Sequence, residues 1–124
     1  MKQLYHSILS SNSADSSQLF NKWKNGNYGY SNGVDIRYNN YKAELWGERE
    51  NEDSRITIIN LPPMGISRCV FLRKAIFMNI YDPTSAKMPQ TFEWCIDITF
   101  EYCTLSKQYK KDHPHIKYIN CKFV

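Results

Sequence analysis

The chain has 124 residues, of which 42% are apolar, 15% aromatic and 23% charged, with 16 basic residues against 12 acidic for a net charge of +4. That length reads as one domain with no room for a catalytic domain beside a regulatory one, and the composition is that of a folded, tyrosine-rich domain rather than a disordered tail. No stretch approaches the roughly 18 uncharged apolar residues of a membrane-spanning helix, and the first residues do not read as a signal peptide.

Residues 1–24 carry helical signals in two pieces. Leu4, Tyr5, Ile8 and Leu9 recur at helical spacing, a serine-rich stretch interrupts, and Leu19, Phe20 and Trp23 resume. Ser13 or Asp15 can cap the second piece and Asn25-Gly26 can end it. Residues 25–33, rich in Gly, Asn and Tyr, read as a loop. From Val34 the period changes to two, through Ile36 and Tyr38. Residues 41–46 and 55–60 then read as an antiparallel hairpin whose acidic tip is GERENEDS, and Pro62-Pro63 stops the second strand.

Residues 66–80 are expected to form an amphipathic helix. Ile66, Cys69, Val70, Leu72, Ile76, Phe77 and Ile80 fit an apolar stripe, with Arg68, Arg73, Lys74 and Asn79 mostly opposite. A loop covers 82–89. Residues 92–103 alternate as one strand, Phe92, Trp94, Ile96, Ile98, Phe100 and Tyr102 on a buried face and Glu93, Cys95, Asp97, Thr99, Glu101 and Cys103 on the other. A basic loop at 104–114 and a final strand at 116–124 complete the chain. The expected class is α+β, with helices packed on one face of an antiparallel sheet, in a single domain: helical segment 1–24, loop and hairpin 25–61, helix 66–80, and C-terminal strands with the basic loop 91–124.

Charge is uneven along this order. Between residues 42 and 53, Glu44, Glu48, Glu50, Glu52 and Asp53 face only Lys42 and Arg49, whereas from Thr104 onward Lys107, Lys110, Lys111, Lys117 and Lys122 face only Asp112. Opposed patches of this kind favour head-to-tail association or steering of a charged partner, and they also serve simply as solvated turns. Cys69, Cys95, Cys103 and Cys121 are spaced by 26, 8 and 18 residues, with no Cys-x-x-Cys pair and therefore no zinc spacing. Disulfides formed in an oxidising compartment account for four cysteines in a small domain better than four inert thiols do.

The sequence offers little to catalysis. Asp112, His113 and His115 could face a metal, but Pro114 between the histidines and the surrounding lysines disfavour a divalent cation, so neither metal nor cofactor is expected. His6 is the remaining histidine, no Gly-x-Ser-x-Gly elbow or glycine-rich phosphate loop is present, and Glu93, Asp97 and Glu101 read as strand-surface carboxylates. Lys107, Tyr109, Lys110, Lys111, His113, His115 and Lys117 mix cations with an aromatic ring, a combination that neutralises phosphates and stacks bases, and they form the candidate partner-binding set.

A hairpin ending in RITIINLPP, followed by Cys69 near the start of an amphipathic segment and later by Cys95-Ile96-Asp97-Ile98-Thr99-Phe100, resembles the globular domain of type IVb pilins and minor pilins over roughly residues 13–102. The stretch around Asn39, Asn40 and Trp46-Gly47 is similar to the aromatic-Gly segment of that family's first strand. The resemblance implies a structural subunit of a type IV pilus or pseudopilus, not an enzyme. It would act in fibre assembly and adhesion with other pilin subunits as partners, and its membrane contact would run only through an N-terminal apolar helix ahead of Met1. It also implies export to the periplasm and the fibre, with Cys69 joined to Cys95 and Cys103 left to Cys121. Against that pairing stands the alternative of Cys95 with Cys121 and Cys69 with Cys103. The rival classes are a secreted, disulfide-linked adhesin or effector domain, and a pilin-like subunit that binds DNA through the basic loop.

Overall fold

The computed structural model describes residues 31–32, 34–39, 42–47, 54–62 and 64–124; the helices expected at 1–24, the loop expected at 25–33 apart from Ser31–Asn32, which form a strand instead, and residues 48–53 of the acidic tip lie outside the described residues. In chain order the elements are β1 (Ser31–Asn32), β2 (Val34–Asn39), β3 (Lys42–Gly47), β4 (Arg55–Ile58), β5 (Ile66–Val70), β6 (Lys74–Met78), β7 (Tyr81–Asp82), β8 (Thr91–Glu93), β9 (Ile98–Glu101), β10 (Thr104–Leu105), α1 (Lys107–Asp112), β11 (Lys117–Ile119) and β12 (Lys122–Phe123).

Six of these, β5 to β10, are two turns of one coil. Each turn visits three sheets in succession, so that β5 lies beside β8, β6 beside β9 and β7 beside β10, all parallel. Strands β3 and β4 form a rung before them, β11 and β12 a rung after, again in parallel pairings. The sheet orders are β1-β4-β6-β9-β11, β12-β10-β7 and β2-β3-β5-β8. Among the described residues, only β1 on β4 and β2 on β3 are antiparallel, and both stand at the starting end of the stack. This is a three-walled parallel β-solenoid, in which each rung buries its apolar side chains against the rungs above and below.

The register makes the core a set of columns. Ile58, Phe77, Phe100 and Tyr118 stand over one another, as do Ile56, Ala75 and Ile98, and Leu45, Cys69 and Phe92. Ile58, Phe77 and Phe100 are wholly buried. The Phe77 and Phe100 rings stack at 4.8 Å, and Phe100 lies 5.7 Å from Tyr118, within the range of favourable aromatic pairs.

Corners between walls rest on residues with positive φ. Phe71 and Trp94 turn from the β3-β5-β8 wall to the next, and Asn79, Tyr102 and Asn120 make the following turn. Each is succeeded by a residue directed at the interior: Leu72, Cys95, Ile80, Cys103 and Cys121. Left-handed backbone at a non-glycine costs roughly 1–2 kcal/mol, and these corners hold it because ladder hydrogen bonds pin both sides. At the second corner, Tyr102 N–H donates to Ile119 O at 2.9 Å and Lys122 N–H to Cys103 O at 2.8 Å. The first rung turns at Gly47, where a Cβ would stand 2.3 Å from the Phe71 carbonyl oxygen, so only glycine fits beneath that corner.

This architecture overturns the α+β expectation. Residues 66–80 are not a helix but two strands of different walls, β5 and β6, joined through a corner at Phe71. Their apolar residues suit the helical period only because the corner shifts the strand alternation out of phase. The expected hairpin of 41–46 with 55–60 does not form: β3 pairs with β2 and β5, while β4 belongs to a different wall. The twelve-residue strand at 92–103 is β8 and β9, separated by left-handed residues at Trp94 and Asp97. Consequently Trp94, Ile96 and Tyr102 are exposed, and Cys103, expected on the outer face, is buried. The basic loop at 104–114 contains β10 and helix α1, and the final strand is broken at Asn120 into β11 and β12.

Candidate functional site

The last rung differs from the others. Where β5 and β8 open their rungs, the chain after β10 enters helix α1, which covers the interior beside β8. Ser106 caps it, its Oγ accepting the Tyr109 N–H at 3.3 Å, and His113 N–H closes the other end on Tyr109 O at 3.0 Å. Lys110 and Lys111 lie in the last turn, where the helix dipole favours cations.

Two side chains plug the end of the core. Tyr109 is 4% exposed, its ring 5.6 Å from Phe100 and 4.5 Å from His113, and its hydroxyl donates to Pro89 O at 2.9 Å. His113 meets Phe92 edge-on at 5.3 Å, and Tyr118 Oη donates to the His113 carbonyl oxygen at 3.0 Å. Burial pushes the Tyr109 phenol far above its usual range and the Tyr118 phenol up to about 12. It pulls His113 below the ordinary imidazole value, against the opposing pull of Asp112. Both phenols are therefore neutral, and His113 is neutral near pH 7.

The cations of this last rung are exposed: Lys107, Lys110, Lys111, Lys117 and Lys122, on α1, β11 and β12. The Lys110 ammonium lies 5.0 Å from the Phe123 ring centroid and 6.0 Å from that of Tyr118, which fixes its stem over partly exposed rings. Lys107 N–H donates to Val124 O and Val124 N–H to Leu105 O, tying the helix start to the last strand.

Of the candidate partner-binding residues, Lys107, Lys110, Lys111, His115 and Lys117 lie on the exposed side of the cap, whereas Tyr109 and His113 belong to the core beneath it. Tyr109 cannot stack on a ligand. The Asp112 carboxylate accepts from Gln108 Nε2 at 2.8 Å and the His113 ring faces Phe92, so these groups do not converge on a common ligand point. Tyr118, Lys122 and Phe123 were not in the candidate partner-binding set; Tyr118 lies on β11, and Lys122 and Phe123 on β12, in a segment legible as strand. The four cysteines are free thiols: Cys69 and Cys103 buried, Cys95 and Cys121 partly so.

A second charged group lies on the outer face of the β2-β3-β5-β8 wall. Arg68 sits 2.9 Å from Glu93 and 3.8 Å from Glu44, while Trp46 is sandwiched between the Arg37 and Arg68 guanidinium groups at 4.2 and 4.8 Å. Trp46 Nε1 also donates to Glu44 Oε1 at 3.1 Å. These charges satisfy one another across four strands and hold the wall in register. An open depression of about 320 Å³ lies among Asn60, Leu61, Asn79, Ile80, Tyr81, Asp82 and Lys87, where the Asp82 carboxylate is engaged by the Lys87 N–H at 2.9 Å.

Comparisons with protein-family models, with curated proteins and with solved structures find no match to this chain.

Proposed function

We propose that this chain is a non-catalytic binding module that presents its basic cap to a nucleic acid backbone. The observation that carries the reading is the cap itself. Lys107, Lys110, Lys111, Lys117 and Lys122 are exposed on elements locked to one another, and Asp112 is the only acidic side chain from Thr104 to the end of the sequence. A rigid cationic surface neutralises phosphates without first ordering a loop, and the partly exposed Phe123 and Tyr118 rings beside Lys110 suit contact with unstacked bases. The test is titration of a labelled single-stranded oligonucleotide at several salt concentrations. Replacing Lys107, Lys110 and Lys111 together by Gln should weaken binding at least tenfold and flatten the salt dependence by about 0.7 in slope for each phosphate no longer neutralised. Equal binding by both proteins, or none by either, would remove the proposal.

A second reading is self-assembly, the role in a fibre that the pilin resemblance implies. The expected helix bearing Cys69 is strand β5, so the resemblance itself adds no support. The supporting observation is that β8 and β11 terminate their sheet orders and offer strand edges to a further chain. Sedimentation of the purified protein distinguishes the two readings: assembly requires species that grow with concentration, whereas nucleic acid binding does not.

A further inference from the structure

Ile80, Cys103 and Cys121 occupy one position in three successive rungs, each directly after a left-handed corner residue, Asn79, Tyr102 or Asn120. Backbone hydrogen bonds fix the alignment. Thr104 N–H donates to Ile80 O and Lys122 N–H to Cys103 O, both at 2.8 Å, while the register pairs Thr104 with Lys122. Parallel neighbours stand about 4.8 Å apart, inside the roughly 4.4–6.8 Å separation of Cα atoms that a disulfide spans. The two side chains have equivalent surroundings. Cys103 Sγ donates to Phe77 O at 3.3 Å and Cys121 Sγ to Phe100 O at 3.2 Å, and Phe77 and Phe100 are themselves in register.

We infer that Cys103 and Cys121 are an oxidisable pair that closes to a disulfide across the last two rungs on meeting a low-molecular-weight disulfide. The more accessible thiol reacts first. Cys121, as its thiolate, attacks one sulfur of the small disulfide, forming a mixed disulfide and releasing one small thiolate, which takes up the proton lost by Cys121. Cys103 Sγ then attacks Cys121 Sγ, its proton leaving with the second small thiol. Two protein thiols are thus oxidised to one disulfide, and one small disulfide is reduced to two thiols. Burial raises the Cys103 thiol to about 11 and leaves it 1% exposed, which suits it to the second step and not to the first.

The same geometry disfavours the pairing of Cys69 with Cys95. Cys69 is in register with Phe92, and Ile96 N–H donates to Leu72 O, which sets Cys95 over Leu72. A bond between Cys103 and Cys121 would enclose α1 and β11, so oxidation would tie the basic cap to the stack. This inference stands apart from nucleic acid binding, because its readout is thiol chemistry.

The experiment treats the full chain with oxidised glutathione at pH 8, followed by acid quench, alkylation in denaturant and peptide mapping without reduction. Cleavage after Arg68, Arg73, Glu101, Lys107 and Lys117 places the four cysteines on separate peptides. The expected product has lost two thiols, joins the Cys103 peptide to the Cys121 peptide, leaves Cys69 and Cys95 alkylated, and reverts with dithiothreitol. Cys103→Ser should stop at a glutathione adduct on Cys121, which in the unaltered chain is transient. Because Cys103 is buried, Cys121→Ser is the independent check: with an unchanged circular dichroism spectrum, it should form at least tenfold less intramolecular disulfide. Four alkylatable thiols, a lasting adduct at Cys121 in the unaltered chain, or a link to Cys69 or Cys95 would each overturn the inference.

Discussion

The middle of the stack and its C-terminal cap solve the same problem by different means. In the middle, Phe77 has Ile58 below and Phe100 above, so strand pairing alone covers each side chain. At the cap the rung lacks a strand beside β8, and Tyr109 and His113 descend from helix α1 to close the column over Phe92 and Phe100. The middle is periodic and depends on volume. The cap is irregular and depends on particular polar groups, the Tyr109 hydroxyl on Pro89 and the neutral His113 ring. A solenoid propagates by repetition but ends only by an exception, and the exception carries the exposed cations.

Substitutions should separate the two regions by size of effect. Phe100→Ala removes a ring shared by three rungs and should cost about 3–5 kcal/mol, read as a fall in the denaturation midpoint for the whole chain. Gly47→Ala forces a methyl group against the Phe71 carbonyl and should cost about 1–3 kcal/mol without touching the cap. Tyr109→Phe keeps the ring but leaves Pro89 O without its donor, for about 1 kcal/mol, with faster amide exchange confined to α1 and β11.

Acid should reach the cap through His113. Its folded value is depressed, so between that value and the unfolded value of about 6.5 the unfolded chain binds the extra proton. The stability contributed by the neutral ring is complete above about pH 6.5 and falls away as pH drops toward the depressed value. Denaturation at pH 8 and pH 5 should show this decline, and His113→Gln should reduce it. Lys110→Ala, which removes only an exposed cation over Phe123, should change stability by no more than about 0.5 kcal/mol.

Much of the core was legible residue by residue. Ile36, Leu45, Cys69, Leu72, Phe77 and Phe100 are apolar in sequence and buried in the fold. The coil was harder to see, because equivalent residues Ile58, Phe77, Phe100 and Tyr118 are separated by 19, 23 and 18 residues, so no fixed period appears. One signal was present nonetheless: Ile56-x-Ile58-x-Asn60-Leu61 returns as Ala75-x-Phe77-x-Asn79-Ile80, Ile98-x-Phe100-x-Tyr102-Cys103 and Ile116-x-Tyr118-x-Asn120-Cys121. Each copy spans one strand and its corner. At the candidate site, the lysines were legible from composition, but the burial of Tyr109 and His113 was not, since their spacing suits a basic loop as well as a one-sided helix.

Sequence alone determined much of the apolar core, where the cationic density lies and that the cysteines lack a zinc spacing, because these follow from residue chemistry and local order; it did not determine the exposure of Trp94, Ile96 and Tyr102 or the burial of Cys103. Tertiary structure decided that the strands run parallel, that the alternation resets at Phe71, Trp94 and Tyr102, and that Cys103 meets Cys121. Those outcomes depend on hydrogen bonds between residues about one coil apart, and a local period carries no record of the partner a strand will find on the next turn.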